Sequence, residues 1–385
     1  MIDTPAVHGI LTGLRRPDIL APADLSLVTH AKAALGWVRR AYTASGDGGI
    51  SKGYDLLRNR WAPSYPETTG YTIPTLLNAA ACFNRPDLSE LALSIADYLL
   101  ARYERDRGIV HWEGGPDARP VVFDTGQVLF GWLAAYESSG EARYLDTAAQ
   151  VGSWLAEVQD GSGAWLRFQH LDTPKVIDTR VAWALLVLHR HTGDPRHLQA
   201  ARRNLEWALS QQTGDGWFRH CAFTPQEDPF THTLAYTAEG LWESGLLLDE
   251  PRFIRAARKT ADALLARQRA DGSLHSTYAA GWRATSRSSC LTGNCQTARL
   301  WLCLYRQTGH QPYYRAAEKA IAFVAGTQRL HTSDPNVRGA IAGSYPIFGR
   351  YERFKYPNWA AKFFIDALLT LDAARTGDPP PRYAG

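Results

Sequence analysis

The sequence is poor in the features that assign most chains quickly. Its 385 residues include only five cysteines, Cys82, Cys221, Cys290, Cys295 and Cys303, an odd number at irregular spacing. That argues against a disulfide framework and fits a reducing compartment. The formal net charge is only +4, with both signs alternating along the chain, so no basic block points to nucleic acid. No stretch approaches the roughly 18 consecutive apolar residues of a membrane span. The opening residues MIDTPAVHGILTGLRRPDIL lack the basic stretch, apolar core and small-residue cleavage site of a secretory signal. Low-complexity tracts are absent as well. A cytoplasmic globular protein without membrane insertion is the expectation; its oligomeric state is open.

What is abundant is aromatic. Many of the 13 Trp and 17 Tyr must fill the core, but such abundance also suits a cleft that stacks sugar rings or encloses an apolar ligand. The chain is also periodic. GEARYLDTAAQVGSWLAEVQDGSGAW (140–165), GDPRHLQAARRNLEWALSQQTGDGWF (193–218) and LDEPRFIRAARKTADALLARQRADGSL (248–274) share one pattern. A small acidic turn leads to an apolar stripe at helical spacing, then to a Gln and an Asp/Gly-rich turn. Weaker copies place helices of this kind near 25, 87, 142, 196, 251 and 312.

A second helix set alternates with the first and is more apolar: 71–83, 126–138, 179–193, 233–245, 294–309 and 357–374. A helix apolar nearly all round is buried, whereas one with a charged face lies outside. An inner and an outer ring follow, with about 55 residues between successive inner helices, enough for two helices and two connections. The expected fold is all-α, an (α/α)6 toroid of six helical hairpins in a single domain, residues 1–385 with a core of about 25–374. A solenoid would end in polar caps, but the last helix, PNWAAKFFIDALL, is as apolar as the middle ones. Short extended pieces are expected only in the loops around 105–122, 160–176 and 270–289.

In a ring of antiparallel hairpins, the segments preceding the inner helices converge on one mouth. Here they are SYPETTGY, VVFDTGQ, KVIDTR, DPFTHTLAY, CLTGNCQ and the long GSYPIFGRYERFKYPNW, all polar or titratable. Glu67, Asp124 and Asp178 take equivalent places in three successive hairpins. A pair of carboxyl groups across a cleft is what glycoside chemistry requires. The competing reading is helix capping: Asp124 with Gln127 is a capping-box pattern, and Asp178 stands where a cap belongs, a role worth about 1 kcal/mol. Glu67 is expected in a turn, between Pro66 and Gly70.

His232 and Tyr236, one helical turn apart, are candidate acid–base groups. Arg180 and Arg350, with Lys355 and Lys362, would hold a ligand carboxylate or phosphate, or else form internal ion pairs. Tyr71, Gln127, Asn294, Tyr345, Tyr351, Tyr356 and Trp359 complete the expected substrate-binding set, the last four crowding a long loop suited to a lid or platform. Cys221, Cys290 and Cys295 with His232 are the one conceivable metal set, but Cys-x4-Cys is a weak zinc spacing, so neither metal nor cofactor is expected.

With its QDGSGAW, QQTGDGWF and QRADGSL turns, the chain from 25 to about 374 resembles the α/α-toroid superfamily. That superfamily includes six-hairpin glycosidases, uronate-processing enzymes and terpenoid cyclases. The Asp-x-Asp-Asp string of squalene-cyclase relatives and the Cys-His-Gly string of lanthionine-forming cyclases are both missing. Unsaturated-uronyl hydrolases resemble this chain in carrying an Asp at the start of an inner helix, as Asp124 and Asp178 do. Glucuronyl epimerases are similar in placing Tyr and acidic residues at the mouth, which would suit Tyr236, Tyr345 or Tyr351. SYPETTGY and YPNWAAKFF resemble blocks of bacterial polysaccharide-pathway proteins. The resemblance implies an enzyme acting on a glycan or glycoconjugate, one that contains uronic acid in the sharpest version, by hydrolysis, lysis or C5-epimerisation. A non-catalytic glycan- or partner-binding toroid and an isoprenoid cyclase or transferase relative are the alternatives.

Overall fold

The structure is a computed structural model that describes residues 25–104, 109–110 and 119–383. The N-terminal stretch read above for a secretory signal lies outside these residues, as do 105–108 and 111–118 of one loop expected to hold an extended piece. Twelve helices run through the described residues. In chain order they are α1 (Leu27–Ser45), α2 (Pro66–Phe83), α3 (Pro86–Ala101), α4 (Val122–Ser139), α5 (Ala142–Glu157), α6 (Thr179–Thr192), α7 (Pro195–Ser210), α8 (Thr231–Leu248), α9 (Pro251–Leu265), α10 (Leu291–Thr308), α11 (Gln311–Thr327) and α12 (Asn358–Thr376).

The two helix classes differ in burial as their composition requires. Every residue of α4 from Val122 to Ala135 is buried, and so is every residue of α10 from Leu291 to Leu304. By contrast α3 buries Leu88, Ala92, Ile95, Ala96 and Leu99, one stripe at helical spacing. Several inner helices begin earlier than their apolar runs. Pro66 takes the first position of α2, where its fixed φ suits a helix start. Glu67 is therefore in a helical first turn and not in the expected loop turn. Gly70, expected as a turn residue, is inside the helix, and a Cβ there would sit 2.6 Å from Val128 Cα.

Contacts divide the chain into two compact units. One contains residues up to Ser64, Phe230–His232 and the chain from Leu264 onward; the other contains Tyr65–Pro229 and Thr233–Ala263. Within the second unit, α2 packs on α4 and α4 on α6, with α3, α5 and α7 flanking them. Within the first, α10 packs on α12, and α12, the last helix, packs on α1.

The repeated Gln and Asp-Gly turns clamp one outer helix to the next. Gln159 Nε2 donates to the Ala200 carbonyl of α7 at 2.8 Å, Gln212 to Ala256 of α9 at 2.8 Å, and Gln268 to Ala316 of α11 at 2.8 Å. In the same role Gln328 Nε2 donates to the His30 carbonyl of α1 at 3.2 Å, joining the last repeat to the first helix. Gly163 and Gly272 adopt φ of 91° and 89°. A Cβ at either would lie 2.4 Å or less from the carbonyl oxygen of Arg203 or Lys319. Glycine is needed there for conformation and for space.

Strands are short. In the first unit β1 (Gly53–Asp55) pairs antiparallel with β2 (Arg60–Trp61) and also with β9 (Lys355–Pro357). The other pairs are β3 (Tyr103–Glu104) with β4 (Ile109–Val110), β5 (Tyr278–Ala279) with β6 (Arg283–Ala284), and β7 (Ser289–Cys290) with β8 (Ser344–Tyr345). The extended piece expected at 160–176 is instead a pair of 3-10 turns, His170–Asp172 and Val176–Asp178. Among the described residues, no helix is long and apolar enough to cross a membrane.

Candidate functional site

The first turns of α2, α4 and α6 bring polar groups together inside the second unit. The Tyr65 hydroxyl, just before α2, donates to Asp124 Oδ2 at 3.1 Å. Glu67 is half-buried and Asp124 is 9% exposed, so both approach solvent. The capping explanation does not hold for either aspartate. The cap position of α4 is Val121, and Asp178, at the cap position of α6, makes no capping hydrogen bond. Gln127 does not complete a capping box; its Nε2 donates to the Phe123 carbonyl and its Oε1 accepts from Arg180 Nε at 2.9 Å.

Asp178 is fully buried. Its Oδ2 accepts from Gln169 Nε2 at 2.6 Å, while its Oδ1 has no hydrogen-bond partner among the described residues. Burial pushes this carboxyl well above the usual carboxylate range, against the opposing pull of Lys175 and the Gln169 hydrogen bond. Lys175, 4% exposed, donates to the Phe223 carbonyl at 2.7 Å and to the Thr173 hydroxyl at 3.2 Å. Burial lowers its pKa as well.

Arg180 is fully buried in this unit. Its guanidinium faces Glu239 of α8 at 3.5 Å and stacks over the rings of Tyr236 at 4.7 Å and Trp183 at 5.3 Å. It already holds a carboxylate within the protein. Tyr236 is also buried, and burial pushes its phenol well above the ordinary range, with Glu67 adding to the shift and Arg180 and a hydrogen bond with Tyr71 opposing it. The neutral phenol is the resident form, which disfavours Tyr236 as a base.

A second cluster belongs to the first unit. His232, in the first turn of α8, is 4% exposed, and its Nδ1 lies 2.6 Å from Gln296 Oε1. Its ring packs on Tyr351 at 5.3 Å and Phe363 at 6.1 Å, and Phe230 meets Tyr351 at 5.1 Å. Trp359 Nε1 donates to the Tyr351 hydroxyl at 2.8 Å. Gly293 is what lets α10 approach: a Cβ there would lie 2.6 Å from the His232 nitrogen.

Other expected site residues are committed elsewhere. Asn294 donates to Ser289 Oγ and the Cys290 carbonyl and accepts from the Leu274 amide, with no exposed surface. Lys362 pairs with Asp366 at 2.8 Å in the core, and Lys355 with Glu352 at 2.9 Å. Tyr356 lies on β9 opposite Tyr54, its ring buried. Tyr345 packs on Phe323 at 5.7 Å, and Arg350 is exposed. No group of three or more His, Cys, Asp or Glu among the described residues could hold a metal. Burial raises the Cys221 and Cys290 thiols to about 12, and Cys290 caps α10 through Gly293 N at 3.4 Å.

Sequence reasoning missed Tyr65, Gln169 and Glu239. Glu239 carried a signal, an acid inside an apolar inner helix; Gln169, in a loop without periodicity, carried none.

No family model matches the chain, and no curated protein does. Solved structures do. The unsaturated glucuronyl hydrolase of Bacillus sp. GL1, responsible for the degradation of glycosaminoglycan, is 17% identical and superposes with TM-score 0.72 over 90% of this chain and 97% of that one. An unsaturated glucuronyl hydrolase of Streptococcus agalactiae, in an aspartate-to-asparagine variant complexed with dGlcA-GalNAc6S, is 12% identical with TM-score 0.68, covering 96% of each chain. Cellobiose 2-epimerase of Bacillus thermoamylovorans is 12% identical with TM-score 0.70, over 88% of this chain and 96% of that one. The chain therefore has the α/α-toroid fold of the six-hairpin glycosidase-like proteins.

Proposed function

We propose that the chain is a glycan-processing enzyme, and that it hydrolyses oligosaccharides carrying uronic acid. The observation that carries this reading is the pair Asp124, in the first turn of α4, and Asp178, at the cap position of α6, on two inner helices that pack on each other, with neither side chain making a capping hydrogen bond. Their environments differ in the way acid–base chemistry needs. Asp178 is buried and favours the protonated form, while Asp124 has an edge toward solvent and accepts from Tyr65. In the proposed reaction Asp178 delivers its proton to the glycosidic oxygen, and Asp124 takes a proton from the water that adds to the anomeric carbon as the bond from that carbon to the leaving oxygen breaks. Glu67 is the third carboxylate of this set. The likeness to glucuronyl hydrolases supports the substrate class.

The second reading is epimerisation with His232 as base, favoured by the imidazole held at Gln296 and by the cellobiose epimerase among the structural neighbours. Mass spectrometry on a panel of uronic and neutral oligosaccharides in isotopically labelled water separates the two. Hydrolysis predicts cleavage with label incorporated, lost in Asp124→Asn and Asp178→Asn. Deuterium uptake without cleavage, lost in His232→Ala, would replace it with epimerisation, and no conversion of any substrate would remove the catalytic reading.

A further inference from the structure

The loop that supplies Gln169 is held in an unfavourable conformation. Phe168, Leu171 and Asp172 have φ of 62°, 65° and 46°, all in the left-handed region that residues other than glycine avoid. Such backbone persists only where the surroundings over-determine it, and it gathers at functional sites. Three contacts hold this loop. The Val122 amide, an otherwise open donor at the start of α4, gives its hydrogen to the Phe168 carbonyl at 2.7 Å. Arg119 pairs with Asp172 at 2.9 Å, and Phe168 packs on Trp154 at 5.5 Å. The outcome is one side chain, Gln169, 5% exposed, aimed at Asp178.

The hydrogen-bond inventory then fixes where a proton can sit. Gln169 Nε2 donates to Asp178 Oδ2, so a proton on Oδ2 would meet a donor. Asp178 Oδ1 and Gln169 Oε1 are both buried without a hydrogen-bond partner among the described residues. Two orphaned acceptors on a hydrogen-bonded pair of side chains are costly unless one bears hydrogen or a donor joins them. We propose that Gln169 is a positioning residue that holds the Asp178 proton on Oδ1, the oxygen that no group among the described residues engages by a hydrogen bond. The inference rests on the acid role given to Asp178 above.

The charged and titratable groups around Asp178 are consistent with this placement. Lys175 precedes it and opposes its protonation. His220, whose carbonyl accepts from the Val176 amide, is held toward neutrality by burial, and Cys221 is a thiol raised to about 12. On α6, Arg180 is paired with Glu239 of α8; α4 contributes Asp124, which accepts from Tyr65.

The experiment is difference infrared spectroscopy of the full chain, following the protonated-carboxyl stretch against pH, with Asp178→Asn to assign it. The expected result is an acid band at neutral pH that Asp178→Asn abolishes. In Gln169→Leu, which removes a donor from the carboxylate, the band should persist to higher pH. On a substrate that is turned over, that variant should lose kcat by up to about a hundredfold with KM little changed, since a misplaced proton donor costs on that scale. The alkaline limb of its pH profile should move upward. Absence of an assigned band at neutral pH would overturn the proposal. A band that titrates at lower pH in Gln169→Leu would also overturn it, because the amide would then have been accepting the proton. The spectroscopic result stands whether or not a glycan is converted, so a failed hydrolase reading and a failed proton placement are told apart.

Discussion

Removing the carboxylate of Glu239 is the sharpest test of how the polar centre of the α6–α8 region is built. Arg180 and Glu239 are essentially without exposure, and their charged atoms are 3.5 Å apart. At that separation, with an effective dielectric near 20, their attraction is about 5 kcal/mol, most of which offsets the cost of taking both ions out of water. Glu239→Leu leaves the guanidinium among the rings of Tyr236, Trp183 and Phe130, with Gln127 at its Nε. The expected loss is about 3–5 kcal/mol of folding stability. Arg180→Met with Glu239→Leu removes both charges while keeping apolar volume, and the double variant should recover most of that loss. Urea unfolding followed by tryptophan fluorescence reads both. A loss below about 1 kcal/mol for Glu239→Leu, the scale of an exposed pair, would refute the buried-pair reasoning. So would a double variant no more stable than Glu239→Leu alone.

Two further outcomes follow from local geometry. Asp194 caps α7 through the Arg196 amide at 2.9 Å, and hydrogen bonds from the Arg196 side chain and backbone hold its carboxyl down at about 2. A depressed carboxylate contributes stability above its unfolded pKa of about 3.9 and loses it as pH falls through the folded value. Asp194→Ala should therefore cost about 1 kcal/mol at neutral pH, and the gap to the parent should close between about pH 4 and pH 2 in acid unfolding curves. Gly70 and Gly131 let α2 and α4 touch: a Cβ at Gly131 would lie 2.6 Å from the Gly70 carbonyl oxygen, and one at Gly70 2.6 Å from Val128 Cα. Gly70→Ala should destabilise by about 1–3 kcal/mol in the same urea assay, and an unchanged midpoint would show that the helices can move apart freely.

The architecture was legible because it is written in burial, and burial has a period. The outer helices were expected near 87, 142, 196, 251 and 312 and begin at Pro86, Ala142, Pro195, Pro251 and Gln311. Inner helices begin ahead of their apolar runs, α2 by five residues and α4 by four, because their opening residues Glu67-Thr68-Thr69 and Asp124-Thr125 are polar. A polar first turn reads as loop when hydrophobicity is the only guide, although acid and threonine are at home there. The Gln and Asp-Gly turns were visible as a repeat, but their work as helix clamps was not. A glutamine that donates to the carbonyl of the next outer helix, as Gln159 does to Ala200, makes a contact 41 residues away that no local pattern encodes.

The site was legible by position and illegible by commitment. Periodicity could place Asp178, Arg180, Asn294 and Lys362 at or near the starts of inner helices, yet their availability depends on partners from other segments. Asn294 has given both amide hydrogens to Ser289 and Cys290, and Lys362 has its charge matched by Asp366 one turn along. Neither has the open valence that a ligand would use. Asp178 has the same burial but keeps an oxygen without a hydrogen-bond partner, and the residue that makes the difference, Gln169, stands in a loop whose strained backbone leaves no mark in composition. Buried polar atoms are almost always paired; Asp178 Oδ1 is one of several, with His197 Nε2 and Asn204 Oδ1 among them, that have no hydrogen-bond partner among the described residues. That criterion sets Asp178 apart from Asn294 and Lys362, and it is applied to atoms, a level of description below the residue types that a sequence provides.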